Sequence, residues 1–537
     1  MLSQRNINCF TFVGSKVVKT VDMDPSTLPQ SVKLIFILAT VFIGYTLFNQ
    51  LTVGRRRRAL ARSKGCLPPP ALPQWDKLYG FDIFKQNIRA LKEHRLLELG
   101  QQRFHAMGVT TASQVALGRY FVITLEPENL KTIQAIEFKK WGLGTRRKVA
   151  FRPLLGDGIF TTDGAAWQHS RDMLRPNFAR TQIDDLPTFE KHVAHLVAAI
   201  PKDNSTVDLS ELFFRLTIDS ATEFLFGEST ESLTKTSADG FADSFTRGQD
   251  FIANMSRWGK LAALFPANKD FKQDSKFVHE FVDYYVHKGL ARRPQLLQEK
   301  SHAEKPSARY TFLDELVRQT TDPLVIRSEL LNILLAGRDT TASLLTNVWY
   351  VLSQRPDIWN KLQADVATLD GDLPTFEQLK NLKYLKALLN ESLRLHPVVP
   401  ANSREALEDT TLPLGGGPDG RAPLFIPKGQ VVGWSVYAMH RRTDYYGADA
   451  EEFKPERWLD VDGKKGLRPG WEYLPFNGGA RICLGQQFAL TEASYTTVRL
   501  CQAFGEIERR DDMPWRENLT LTCVNLGGAK CALRVRE

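Results

Sequence analysis

Cys483 lies in the stretch Phe476–Gly485, FNGGARICLG, with Arg481 two residues before it, Gly479 four before, Phe476 seven before and Gly485 two after. A lone cysteine is most often a small buried residue, but these neighbours suit a sulfur held as thiolate. Gly479 and Gly485 let the backbone turn sharply beside a flat ligand. Amides of such a loop can point at the sulfur. A helical pattern starts at Gln486, so Cys483 precedes a helix N-terminus, where negative charge is favoured. Arg481 brings positive charge suited to a carboxylate, and Phe476 can shield the sulfur from water. No CxxC pair or HExxH helix occurs, so there is no standard zinc signature.

Three further constellations stand out. Asp339 and Thr340, in Ala336–Thr341 (AGRDTT), interrupt a pattern that is apolar nearly all round, LLNILLAG before and SLLTNVWYVL after. A Thr hydroxyl beside a glycine competes for backbone carbonyls, which predicts a loosened ladder and a local groove. Glu391 and Arg394, three apart, share a helix face and can pair. Trp167 and Arg171, four apart in WQHSR, share another face.

The elements that must position these groups are mostly helical. Asp322 is a good N-cap and Pro323 a good first helical residue, and the pattern runs to Arg355, where Pro356 stops it. That helix is about 50 Å long and must cross the whole domain. Arg119–Leu125 reads as a strand, with a helix from Pro127. Leu519–Val524 and Ala529–Val535 alternate around Asn525–Gly528 and read as a β-hairpin. Gly415–Gly417 and Gly420 form no phosphate loop, since Pro418 and a strand-like run follow. The chain is therefore expected to bind no nicotinamide or flavin, and a partner must supply any electrons.

Composition bounds the class. Apolar residues are 43%, charged residues 24% and the net charge +9, an ordinary globular balance that excludes a disordered or collagenous chain. Six scattered cysteines argue for a reducing compartment. Nucleic acid is not required; the basic excess suits an acidic protein or an anionic membrane. Leu34–Gly54 carries no charge and spans roughly 30 Å as a helix, followed by Arg55–Arg58. This predicts an uncleaved signal anchor. The expected organisation is a short lumenal tail at 1–30, a transmembrane anchor at 31–53, a basic and proline-rich hinge at 54–73, and a domain at 74–537. Lys300–Ser307 reads as a surface loop. Asn204–Thr206 and Asn518–Thr520 match glycosylation acceptors that a cytosolic body would leave unused.

The pattern F-x-x-G-x-R-x-C-x-G resembles the haem-ligand loop of the cytochrome P-450 monooxygenases. The resemblance implies a mainly α fold with small β-sheets (α+β), preceded here by one transmembrane helix. It makes Cys483 the axial ligand of haem b iron, with Phe476 beside it, and Trp167, Arg171, Arg404 and Arg481 the cofactor contacts, the arginines at the propionates. It makes Asp339 and Thr340 the catalytic acid–alcohol pair for O2, and Arg457 of Pro455–Trp458 (PERW) the third member of a buried structural network with Glu391 and Arg394. A thiolate axial ligand favours O–O cleavage in this family. Segments 154–180, 410–420, 437–447 and 476–495 are similar to the fungal alkane- and fatty-acid-hydroxylating branch, with Ala480 where that branch often has Pro. The resemblance then implies terminal hydroxylation of a long aliphatic chain in the endoplasmic reticulum membrane, single-pass and facing the cytosol. Electrons would come from NADPH through an NADPH–cytochrome P-450 reductase docked near Cys483. By the same analogy the channel walls are Asn525–Gly528 and the stretch after Pro397 (VVPANS). Oxidation of an alkyl chain on a secondary metabolite is the alternative. A reductase-independent haem-thiolate isomerase and a membrane-tethered haem carrier are rivals from other classes; the intact Asp339–Thr340 pair disfavours the first, and nothing in a carrier requires the groove on the long helix.

Overall fold

Pro323–Gln354 forms one unbroken helix of 32 residues, about 48 Å long. The Asp322 carboxylate accepts from the amides of Leu324 and Val325, as expected of an N-cap. The helix serves two cores. Its first half, including Ile326, Leu330 and Leu334, packs into one apolar cluster, and its second half, including Leu345, Val348 and Trp349, into another. The AGRDTT stretch falls between them. Helices Leu209–Phe226, Lys269–His302, Lys383–Leu395 and Gln486–Ala503 surround the long helix.

The computed structural model describes residues 29–178, 186–235, 240–258, 268–302, 311–460 and 463–536. The fold is mainly helical with small sheets. The largest sheet has five strands, in the order Thr111–Ala116, Arg119–Thr124, Val431–Ser435, Ala401–Ala406 and Trp141–Gly142. Arg119–Thr124 runs parallel to Val431–Ser435, and Pro127–Lys131 is helical, as the sequence predicts.

The C-terminal hairpin differs from expectation. Glu517–Leu519 pairs with Cys523–Asn525, closing a tight turn at 520–522. Lys530–Val535 pairs instead with Phe504–Arg509 and Val207–Asp208. Alternation shows which residues sit in strands but not which strand is the partner. Lys300–Ser307 also differs: its first residues end the helix Lys269–His302, and 303–307 lie outside the described residues.

The chain divides into two compact units, Met1–Ser63 and Lys64–Glu537. In the first, Gln30–Leu51 is a helix of 22 residues, none buried, long and apolar enough to cross a membrane. Val53–Ser63, which carries the arginines, is also helical. Of the expected tail, residues 1–28 lie outside the described residues. The proline-rich run belongs to the second unit and is no free spacer. The Leu72 amide donates to the Ser113 carbonyl at 2.7 Å, the Ser113 amide to Pro70 at 2.8 Å and the Leu67 amide to Pro423 at 3.0 Å. Extended proline-rich chain leaves its carbonyls outward, which suits it to lie against strand edges.

Candidate active site

The Cys483 loop is built by its contacts with a single turn of chain, Thr132–Ile136. Gly479 has φ +60°, and a Cβ there would lie 2.0 Å from the Gln134 carbonyl oxygen, so only glycine fits. The Gly478 amide donates to Gln134 Oε1 at 3.0 Å, and the Cys483 amide closes the loop on the Phe476 carbonyl at 3.0 Å. Gly485 is ordinary by comparison, at φ −87°, and precedes the helix Gln486–Ala503. The sharp turn therefore rests on Gly479 and not on both glycines. Gln134 has no sequence signal beyond its own identity.

Cys483, Phe476, Arg171, Asp339 and Thr340 all line one cavity between this loop and the long helix. It leaves about 1690 Å³ free of protein atoms, its mouth included. Most of the rest of its wall is apolar, with Phe160, Phe224, Leu225, Ile333 and Leu344 among its residues. Cys483 is accessible through this cavity, although protein is dense around it. Burial pushes its thiol up, while the Gly485 amide and Arg171 act in the opposite direction.

At one edge of the cavity four guanidinium groups converge. Arg171 Nη1 donates to the Ile482 carbonyl at 3.0 Å, with its guanidinium 5.7 Å from the Trp167 ring. Arg481 stacks closer on the same ring, at 4.3 Å, and pairs with Asp163 at 2.6 Å. Arg404 is buried, bonds the Ser403 carbonyl at 2.8 Å and Asn402 Oδ1 at 3.1 Å, and lies over Trp434. The fourth, Arg147, was missed in the sequence because nothing distinguishes it within TRRK. It lines the cavity, and its buried Nε has no hydrogen-bond partner among the described residues. Burial, then repulsion from Arg147 and Arg481, brings Arg404 down to about 9. Burial likewise brings Arg481 down to about 10, against the pull of Asp163. Asp163 also pairs with Lys148 at 2.9 Å, so the one carboxylate is already shared. An uncompensated cationic edge with an orphaned donor fits a cofactor bearing carboxylates. Trp167, Arg404 and Arg481 stand behind the cavity wall, whereas Arg147 and Arg171 are on it.

Across the cavity, Asp339 is buried, with Arg338 Nη1 3.2 Å from its Oδ1. Burial holds its carboxyl above the usual range, opposed by Arg338 and assisted by Asp250. Thr340 Oγ1 donates to the Ala336 carbonyl at 2.6 Å. The helix runs on without a break, and Ala336, Gly337 and Thr340 line the cavity there. The hydroxyl bonds a carbonyl that stays within the helix.

Behind the Cys483 loop, Glu391, Arg394 and Arg457 come together. Arg457 Nε lies 3.4 Å from Glu391 Oε1, and its Nη1 pairs with Asp449 at 2.9 Å. Trp458 Nε1 and the Lys454 amide also donate to Glu391, at 2.9 and 2.8 Å. Of the expected channel walls, Val398, Val399 and Asn402 line the cavity. Asn525–Gly528 does not: the Asn525 amide is bonded to Asn347 Oδ1 and its side chain to the Gly528 carbonyl. Leu521 and Thr522, in the true hairpin turn, take that place.

A family model described as Cytochrome P450 matches residues 115–525. Cytochrome P450 monooxygenase himC of Aspergillus japonicus is 45% identical over 503 residues, covering 93% of this chain and 88% of its own length. Cytochrome P450 52A12 of Debaryomyces hansenii is 44% identical over 519 residues, covering 93% and 97%. The solved cytochrome P450DA heme domain superposes with a TM-score of 0.73 at 22% identity, covering 88% of this chain and 98% of its own.

Proposed function

Since the chain belongs to the cytochrome P450 family and is a monooxygenase of that family, we propose that it hydroxylates a long aliphatic chain, an n-alkane or fatty acid, at or near its terminal carbon. Haem b, O2 and electrons from NADPH through a reductase complete the system. Gln30–Leu51 anchors it in the endoplasmic reticulum membrane with the second unit toward the cytosol. The observation that carries this reading is Cys483 on one wall of an apolar cavity with Asp339 and Thr340 on the other. The similarity of segments such as 154–180 and 476–495 to the alkane- and fatty-acid-hydroxylating branch supports the substrate class.

The haem, when bound, supplies the oxygen activation and C–H abstraction. The chain's own residues do the rest. Cys483 would hold the iron through sulfur, and Phe476 would shield it. Arg147, Arg171, Arg404 and Arg481 would offset the propionate charge. Asp339, which burial inclines to keep a proton, would supply it on this side of the cavity, and the Thr340 hydroxyl would relay it. The apolar wall excludes water and aims the substrate's end. A second reading, oxidation of an alkyl chain on a secondary metabolite, uses the same cavity.

The test is a binding spectrum with dodecane, lauric acid and oleic acid, then product analysis with reductase and NADPH. Cys483→Ala should abolish the red-shifted band of the reduced, carbon-monoxide-bound protein. No spectral shift and no hydroxylated chain from any of the three would overturn the substrate assignment.

A further inference from the structure

The hairpin that closes the cavity is held at its base and at its tip by different elements. At the base, Asn347 of the long helix accepts from the Asn525 amide at 3.0 Å and from Trp515 Nε1 at 3.1 Å. At the tip, Arg257, at the end of the helix Phe241–Trp258, reaches over. Its Nη2 donates to the carbonyls of Leu519 at 2.6 Å and Thr520 at 3.3 Å. Its Nη1 is steadied by Asn254 Oδ1 at 2.8 Å. Ser343 Oγ donates to Thr522 Oγ1 at 3.2 Å from beneath. The two side chains that this turn presents to the cavity are Leu521 and Thr522.

We infer that Arg257 is a specificity-determining positioning residue: by clamping the Leu519 and Thr520 carbonyls, it fixes Leu521 as a stop that decides which carbon of the substrate is attacked. The inference rests on the aliphatic-chain reading above. A turn of three residues has few internal restraints: the Thr520 amide donates to the Thr522 carbonyl at 2.9 Å, and the Thr520 hydroxyl to the same carbonyl at 3.5 Å. One guanidinium nitrogen, Nη2, donating to two successive carbonyls restricts the remaining freedom. Its donors are aimed by a half-buried helix end, and Asp250 on the same helix supports its charge. Attack at a chain end opposes the weaker internal C–H bonds, so it depends on a rigid boundary. A wall that gives by a methylene admits the next carbon.

Full-length Arg257→Ala, Arg257→Gln and Leu521→Ala enzymes in membranes with reductase would be given dodecane and lauric acid, with every hydroxylated position quantified. Arg257→Ala should lower the terminal-to-internal product ratio roughly fivefold or more with haem content unchanged. Arg257→Gln should fall between it and wild type. Adding Arg257→Ala to Leu521→Ala should change the ratio little further, because the first acts through the second. Amide exchange of residues 517–525 should rise in Arg257→Ala. An unchanged ratio, or fully additive effects, overturns the inference. If wild type hydroxylates neither substrate, the aliphatic-chain reading has failed, and unaltered exchange at 517–525 in Arg257→Ala would overturn the clamp independently.

Discussion

Arg394 and Glu391 meet at two points, Nε to Oε2 at 2.9 Å and Nη2 to Oε1 at 2.7 Å, with both side chains wholly removed from solvent. Arg394 spends its remaining donors on the carbonyls of His440, Ala450 and Glu452. It thereby ties the helix Lys383–Leu395 to the chain that leads toward the Cys483 loop. Removing one member of such a pair strands a buried charge, at about 3–5 kcal/mol. Arg394→Ala and Glu391→Ala are expected to yield little folded, haem-loaded protein, with a lowered Tm in whatever remains. A Tm within a degree or two of wild type would contradict the role.

Arg147 has an orphaned buried Nε and repels Arg404. Arg147→Ala is therefore expected to loosen haem retention while leaving the haem-free protein as stable as before or more so. Loss of one charge-assisted bond is worth about 1.5–3 kcal/mol, roughly ten- to hundredfold in haem dissociation rate. Haem transfer to an acceptor protein measures the first effect and thermal unfolding of the stripped protein the second.

Thr340→Ala keeps the helix, since it deletes one methyl and a hydroxyl that bonds back to Ala336, and alanine is a strong helix former. Haem content should be normal. Proton delivery should suffer, so product formed per NADPH drops several-fold and peroxide rises. Coupling equal to wild type would remove Thr340 from the proton path.

Glu329 and Glu492 are buried on two helices, and burial pushes each up to about 7 from 4.5. The unfolded chain loses these protons near 4.5, whereas the folded chain keeps them until about 7. Stability therefore falls as pH rises through that window and levels off above it. Each site accounts for about 3 kcal/mol. Glu492→Gln should raise Tm at pH 8, leave it little changed at pH 5 and flatten the slope between. A Tm–pH curve parallel to wild type would show that the group titrates normally.

A chain starting at Lys64 should fold and load haem, because the second unit begins there. One starting at Gln74 should lose roughly 2–4 kcal/mol, since buried Leu72 and the bonds joining the proline run to Ser113 and Pro423 go with it. Comparing denaturation midpoints of the two truncations decides this. Equal midpoints would make the proline run a spacer after all.

Local signals in the chain were enough to determine the elements that carry chemistry. Asp322, Pro323 and Pro356 bound the long helix, the glycine at 479 marks the loop, and three-residue spacing pairs Glu391 with Arg394. Each is written in residues near one another, where sterics and hydrogen bonding act over a few positions. Only the tertiary structure decided what lies far apart in sequence and close in space. It chose the partner of Lys530–Val535, placed Leu521 rather than Asn525 in the cavity wall, and brought Arg147 to the cationic edge. Strand partners, desolvation and charge clusters depend on which surfaces meet, and a residue's own neighbours carry no record of that.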